Sequence, residues 1–91
     1  MFKFERDDHK AASNIQKHGV SFDEAVTVFA DEMALTFAYT DHFKTEDRSR
    51  TYGISNKGRL LVVVHTERRN QVRIISARKA TRYEKNIYNE I

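Results

Sequence analysis

The run Leu60-Leu61-Val62-Val63-Val64 constrains this chain more than any other feature. A stretch that is apolar at every position reads as a strand covered on both faces, which places it in the middle of a sheet. The rest of the chain must then supply neighbours for that strand and layers to cover it. The pattern before it predicts two helices. From residue 8 to 18 the apolar set Ala11, Ala12 and Ile15 falls at helical spacing, and Gly19 stands where a left-handed C-cap belongs. Ser21-Phe22-Asp23-Glu24 reads as a capping box, after which Phe22, Ala25, Val26 and Phe29 form one apolar stripe to about Ala30.

Beyond Asp31 the period changes to two: Met33, Leu35, Phe37 and Tyr39 alternate with smaller or polar residues, as in a strand with one buried face. Residues 40–47 read as a mobile polar loop and 48–54 as a second strand. Ser55-Asn56-Lys57-Gly58 then turns the chain into the central strand, 59–67. Residues 72–77 form a fourth strand, and Thr81-Arg82-Tyr83-Glu84 is a second capping box. It opens a last helix with Tyr83, Ile87, Tyr88 and Ile91 facing inward. A short leading strand at residues 2–4 is also compatible with the pattern. The expected fold is α+β: an antiparallel sheet of about four strands, two N-terminal helices and one C-terminal helix, in a single domain over 1–91.

The 91 residues contain no Cys, so neither disulfides nor thiolate metal sites are available and packing alone must hold the chain. A reducing cytoplasm suits such a chain. No apolar run approaches the roughly 20 residues of a membrane span, and the start has no signal-peptide core. Net charge is only +3, but residues 1–47 hold five Lys/Arg against ten Asp/Glu, whereas 48–91 hold eleven against three. A field so segregated attracts either a polyanion or an acidic protein partner.

If Arg69-Asn70 is a two-residue hairpin loop, Val63 lies opposite Ser76, His65 opposite Ile74, and Leu61 opposite Arg78. His65, Glu67, Ser76 and Arg78 then share one sheet face, with Leu60, Val62, Val64, Ile75 and Ala77 on the other. A loop one residue longer or shorter would spoil that register. Cleaving RNA through its own 2′-hydroxyl needs a base, cations for the phosphorane-like state and an acid for the leaving 5′-oxygen. Glu67 or His65 can be the base, Arg78 with Arg68 the clamp, and Tyr83 or protonated His65 the acid. Arginine holds phosphate oxygens unaided, so no metal or other cofactor is required.

The same residues also have plain structural readings. A Glu-Arg pair at a strand end is commonly a solvated edge, and a lone His in a strand a hydrogen-bonded spacer. The cations Arg73, Arg78, Lys79, Arg82 and Lys85 repel one another within thirteen residues, which argues for a bound anion. Other constellations carry less. His9, His18 and His65 lack zinc-ligand spacing, and His18 more simply caps its helix. The two early helices resemble a helix-turn-helix, but Asp23, Glu24, Asp31 and Glu32 would meet DNA phosphates with like charge.

Three stretches carry a resemblance. Asn14-Ile15-Gln16-Lys17-His18-Gly19-Val20-Ser21-Phe22, then 59–68 ending His65-Thr66-Glu67-Arg68, then 73–82 from Arg73 to Arg82 look like the signature stretches of BrnT-like toxins, in order and across nearly the whole chain. The resemblance implies a RelE-like fold, ribonuclease activity that arrests growth, and neutralisation by a BrnA-type antitoxin. That antitoxin would bring a ribbon-helix-helix DNA-binding segment, so DNA is reached only through it. The complex, often two toxins with two antitoxins, would repress its own operon. The Thr66-Glu67-Arg68 and Ser76-Ala77-Arg78 stretches best match functional positions, with Lys17, Arg73, Lys79 and Arg82 as further RNA contacts. Members commonly begin Phe-x-Trp-Asp, and here Arg6 stands in place of the Trp. The alternative is a catalytically inactive relative serving as a partner-binding module in a repressor complex.

Overall fold

A computed structural model describes residues 3–39 and 48–90. The expected loop over 40–47, and Phe2 and Ile91, lie outside the described residues. The elements run β1 (Lys3–Glu5), α1 (Asp8–His18), α2 (Phe22–Thr27) continued by a 3-10 turn (Val28–Ala30), β2 (Leu35–Tyr39), β3 (Arg48–Ile54), β4 (Leu60–Arg68), β5 (Gln71–Lys79) and α3 (Arg82–Asn89). The architecture is α+β, as the pattern predicts. The sheet order is β1-β5-β4-β3-β2, so the apolar run does form a central strand, and Leu61, Val62 and Val63 are all buried. The sheet has a fifth strand: β1 pairs parallel with β5 and makes it mixed.

The caps behave largely as their chemistry dictates. Gly19 takes a left-handed φ of 68° and closes α1 through its amide to Ile15 O. Thr81 and Glu84 form a complete capping box on α3. Ser21 Oγ accepts from Glu24 N at 3.0 Å, but the Glu24 carboxylate does not return the favour. It turns inward, where the Arg59 guanidinium grips it bidentately and Ser55 Oγ donates at 2.7 Å. A buried carboxylate needs such partners, and these three hydrogen bonds from two residues tie α2 to the β3–β4 turn. They also hold the Glu24 carboxyl below its ordinary range, with the Arg59 hydrogen bond the largest cause.

The core lies between the sheet and the α1–α2 layer: Val20, Phe22, Ala25 and Val28 meet Leu61, Val63, Val72, Ile74 and Ala77. Helix α1 does not join it through the expected Ala11-Ala12-Ile15 stripe, for Ala12 and Ile15 are exposed. Its buried residue is Asn14, 5% exposed. Asn14 Nδ2 donates to Val20 O and Ala77 O, both at 2.8 Å, and Oδ1 accepts from Ala77 N at 3.1 Å. The side-chain amide thus supplies β5 with a hydrogen-bonding partner along the edge that β1 leaves unpaired beyond Arg73, and fastens the α1–α2 turn at once. Where the 3-10 turn presses on β3, Gly53 is required: a Cβ there would meet Val28 Cγ1 at 2.6 Å.

Helix α3 sits over one end of the other face, anchored by Glu84 on Arg78 and by Tyr88, whose hydroxyl donates to Asp31 Oδ2 at 2.6 Å. Tyr83 does not face inward; it is 74% exposed, because Glu84 takes the inward position of the first turn. Replacing Asn14 by Ala leaves the Ala77 amide and two carbonyls buried without partners. Asn14→Ala should cost about 2–3 kcal/mol, read as a lower denaturation midpoint at unchanged m-value.

Candidate functional site

The pairing of β4 with β5 decides which side chains reach solvent. The hairpin loop is Arg69-Asn70, both at positive φ (48° and 67°), as a two-residue type I′ turn requires. From the turn to His65↔Ile74 the register is the expected one. It then shifts by one, because Ile75 is an extra residue and Val64 pairs with Ser76, Val63 with Ala77 and Val62 with Arg78. This β-bulge breaks the expected shared face. His65 falls on the helix-covered side with Leu61, Val63, Ile74 and Ala77, and Glu67 follows its parity at the exposed strand end. Ser76 and Arg78 point to the opposite side with Val62, Val64 and Thr66, called open because α1 and α2 do not cover it, although Val62, Thr66 and the neighbouring Tyr52 are themselves buried.

His65 is 3% exposed, its ring packed edge-on against Phe29 at 4.9 Å. Its Nε2 is 2.8 Å from Thr51 Oγ1, which is 2.8 Å from Thr36 Oγ1. Burial lowers its pKa, opposed by the nearby Glu67 charge, so the ring is neutral within the core. It cannot touch a substrate on the surface, and neither proton-transfer role expected of it fits this position.

The open face gathers a different set. Arg48, Arg50 and Tyr52 alternate along β3, and Arg50 and Tyr52 pair with Val64 and Val62. Phe37 on β2 lies against Tyr52 with ring centroids 5.2 Å apart, and the Arg50 guanidinium carbon is 6.0 Å from the Tyr52 centroid. Arg48 Nε is buried with no hydrogen-bond partner among the described residues. Thr66, Arg68 and Arg73 extend the face towards the hairpin tip, and Ser76 and Arg78 continue it on β5. The sequence reading missed Arg48, Arg50 and Tyr52, although their period-two spacing through Ser49 and Thr51 puts all three on one side of a strand.

Arg78 is part of this face but is not a bare clamp. It donates to Glu84 Oε1 at 2.7 Å and Oε2 at 2.9 Å, which holds the Glu84 carboxyl at about 2. Arg73 Nη1 lies 3.8 Å from Glu5 Oε1. The supposed mutual repulsion of the C-terminal cations is therefore relieved in part inside the chain. Lys79 and Arg82 are exposed near α3, whereas Lys17 is exposed on α1, across the sheet from the open face. Arg6, where a Trp was expected from the resemblance, ion-pairs with Asp23 at 2.6 Å. Among the described residues no three His, Cys, Asp or Glu side chains cluster as metal ligands, and no helix is long and apolar enough to cross a membrane.

A mixed sheet with one helix-covered face and one cationic face is a fold already known. It is similar to the crystal structure of the Brucella abortus ribonuclease toxin BrnT, with a TM-score of 0.65 and 21% identity over 90% of this chain and 100% of that one. The family described as "Ribonuclease toxin, BrnT, of type II toxin-antitoxin system" matches residues 7–84, and the chain belongs to that family. No curated protein matches it significantly.

The Arg78–Glu84 pair has a consequence in acid. The carboxyl is depressed from 4.5 to about 2, so its stabilisation is full above pH 4.5 and is lost as pH falls towards 2. Because Arg78 is 39% exposed, screening reduces the contribution to roughly 1–2 kcal/mol. Glu84→Gln should flatten that part of the stability-pH curve between pH 5 and 2, as read by denaturant titration at each pH, and leave the Glu24 part in place.

Proposed function

We propose that this protein cleaves RNA on the open face of its sheet, as the endoribonuclease toxin of a type II toxin-antitoxin pair. The observation that carries the reading is the row Arg48, Arg50, Arg78 beside the exposed Phe37 ring. Guanidinium groups bind phosphate oxygens in a forked geometry, and an exposed aromatic offers a stacking surface for an unpaired base. Stabilising the charge that grows on the phosphorane-like state is the largest contribution such a face can make to the rate. Attack by the 2′-hydroxyl closes a cyclic phosphate and expels the 5′-oxygen, so the enzyme needs no external nucleophile and no metal. In this reading Arg50 and Arg78 hold the scissile phosphate. Tyr83, exposed one residue before Glu84, protonates the leaving oxygen, and the 2′-hydroxyl proton passes to solvent. Glu67 has the helix-side parity and lies about 16 Å along β4 from the partner of Arg78, too far to be the base. Arg68, Arg73, Lys79 and Arg82 guide the strand.

Its partner in this proposal is a BrnA-type antitoxin that covers the cationic face and carries the DNA-binding segment, in an assembly of two toxins and two antitoxins that represses its own operon. The place of action is the cytoplasm. The Arg78–Glu84 ion pair favours a second reading, since it neutralises a cation that catalysis would use: a partner-binding module without cleavage.

Cleavage in EDTA separates them. The purified chain should cut a single-stranded RNA with EDTA present and leave a cyclic phosphate on the upstream fragment. Arg50→Ala and Arg78→Ala should each slow the cut about 100-fold or more. Intact RNA, with undiminished antitoxin binding, would establish the second reading instead.

A further inference from the structure

The tip of the β4–β5 hairpin carries a conformational oddity that catalysis on the open face does not use. The first central position of its type I′ turn, at φ 48°, is held by Arg69. That position favours Gly, Asn or Asp, because a side chain with a Cβ crowds the backbone in the left-handed region. Asn70 is an ordinary occupant of its own place and Arg69 is not. A chain that keeps a long cationic side chain where glycine would fit better retains it against the local backbone preference, and such positions concentrate at functional sites.

What surrounds Arg69 says what the cation is for. Arg68, Arg69, Gln71, Arg73 and Glu5 line a hollow of about 460 Å³, large against the roughly 30 Å³ of a water molecule. Three guanidinium groups and one amide face one acid there, and among the described residues no apolar side chain lines the hollow. A protein segment would draw its binding energy from aromatic or aliphatic anchors buried in such a pocket, and none is offered. A phosphodiester needs only the donors. The hollow also continues the open face, since Arg68 and Arg73 share the strand side of Thr66. It lies about 13 Å along the strands from Ser76, too far to hold the same phosphate as Arg78.

We infer that the hairpin tip is a second phosphate site, in which Arg69 with Arg68 and Arg73 binds a backbone phosphate of the RNA away from the one that is cut. The inference rests on the proposed RNA-cleaving function. Glu5, 3.8 Å from Arg73, competes with that phosphate for the cations and tempers the affinity.

The test is equilibrium binding of a fluorescent, uncleavable 2′-O-methyl RNA oligonucleotide to the full chain over a range of salt, with melting curves beside it. Arg69→Gly and Arg69→Asn both suit the turn and should melt no lower than about 5 °C below the unaltered protein. Each should bind the RNA about three- to tenfold more weakly, with a salt slope shallower by about 0.7, the share of one single-strand phosphate contact. Glu5→Gln should bind more tightly. If both Arg69 variants fold and keep the parent's affinity and slope, the tip is not a phosphate site, and the open-face function stands. If they keep RNA binding but lose binding to an oligoglutamate peptide, the tip belongs to an acidic protein partner and the inference is overturned. If the unaltered protein itself does not bind the RNA, the function falls and the inference with it.

Discussion

The extra residue in β5 governs everything on the two faces of the sheet. Ile75 shifts the pairing by one between Val64 and His65, so β5 presents Val72 and Ile74 to the helices before the bulge and Ala77 after it. Without it Ser76 and Arg78 would turn towards the helices in place of Ala77, and Asn14 would lose the backbone it grips. With it, one side of the sheet is sealed and the other is left to Arg48, Arg50, Tyr52, Ser76 and Arg78. A one-residue shift reverses every side chain beyond it, which is why a local irregularity has consequences across the sheet.

Local chemistry made much of the fold legible. The C-cap at Gly19, the capping box at Thr81 and the turns at Ser55 and Arg69 depend on neighbours a few residues away, and each is present. The central strand was legible because five apolar residues in a row have no other comfortable position. The bulge was not, since Ile74, Ile75 and Ser76 include no Gly to mark it and β4 is apolar on both sides, so neither register looks wrong from its sequence. Asn14 and Glu24 were hidden for a related reason: each is polar by composition and buried by partnership, with Ala77 and Arg59 distant in the chain.

The candidate site was half legible. Charge segregation located the cations in the second half of the chain, and Arg73 and Arg78 do lie on the open face. The hairpin argument then placed His65 and Arg78 on one face, and the bulge separates them. Arg48 and Arg50 were available in the sequence as an alternating pair, yet drew no notice without the strand beside them. Family membership supplies the class of activity, and the arrangement of arginines around Phe37 and Tyr52 is the place proposed for it.

The central claim is that RNA occupies the open face and not the helical one. Nuclear magnetic resonance spectra of the isotopically labelled chain, titrated with an uncleavable single-stranded RNA, test it most directly. The account predicts that signals of Arg48, Arg50, Tyr52, Ser76 and Arg78 shift in proportion to bound RNA, while those of α1 and α2, Lys17 included, stay in place. Shifts confined to α1 and α2, with the strand signals unmoved, would contradict it.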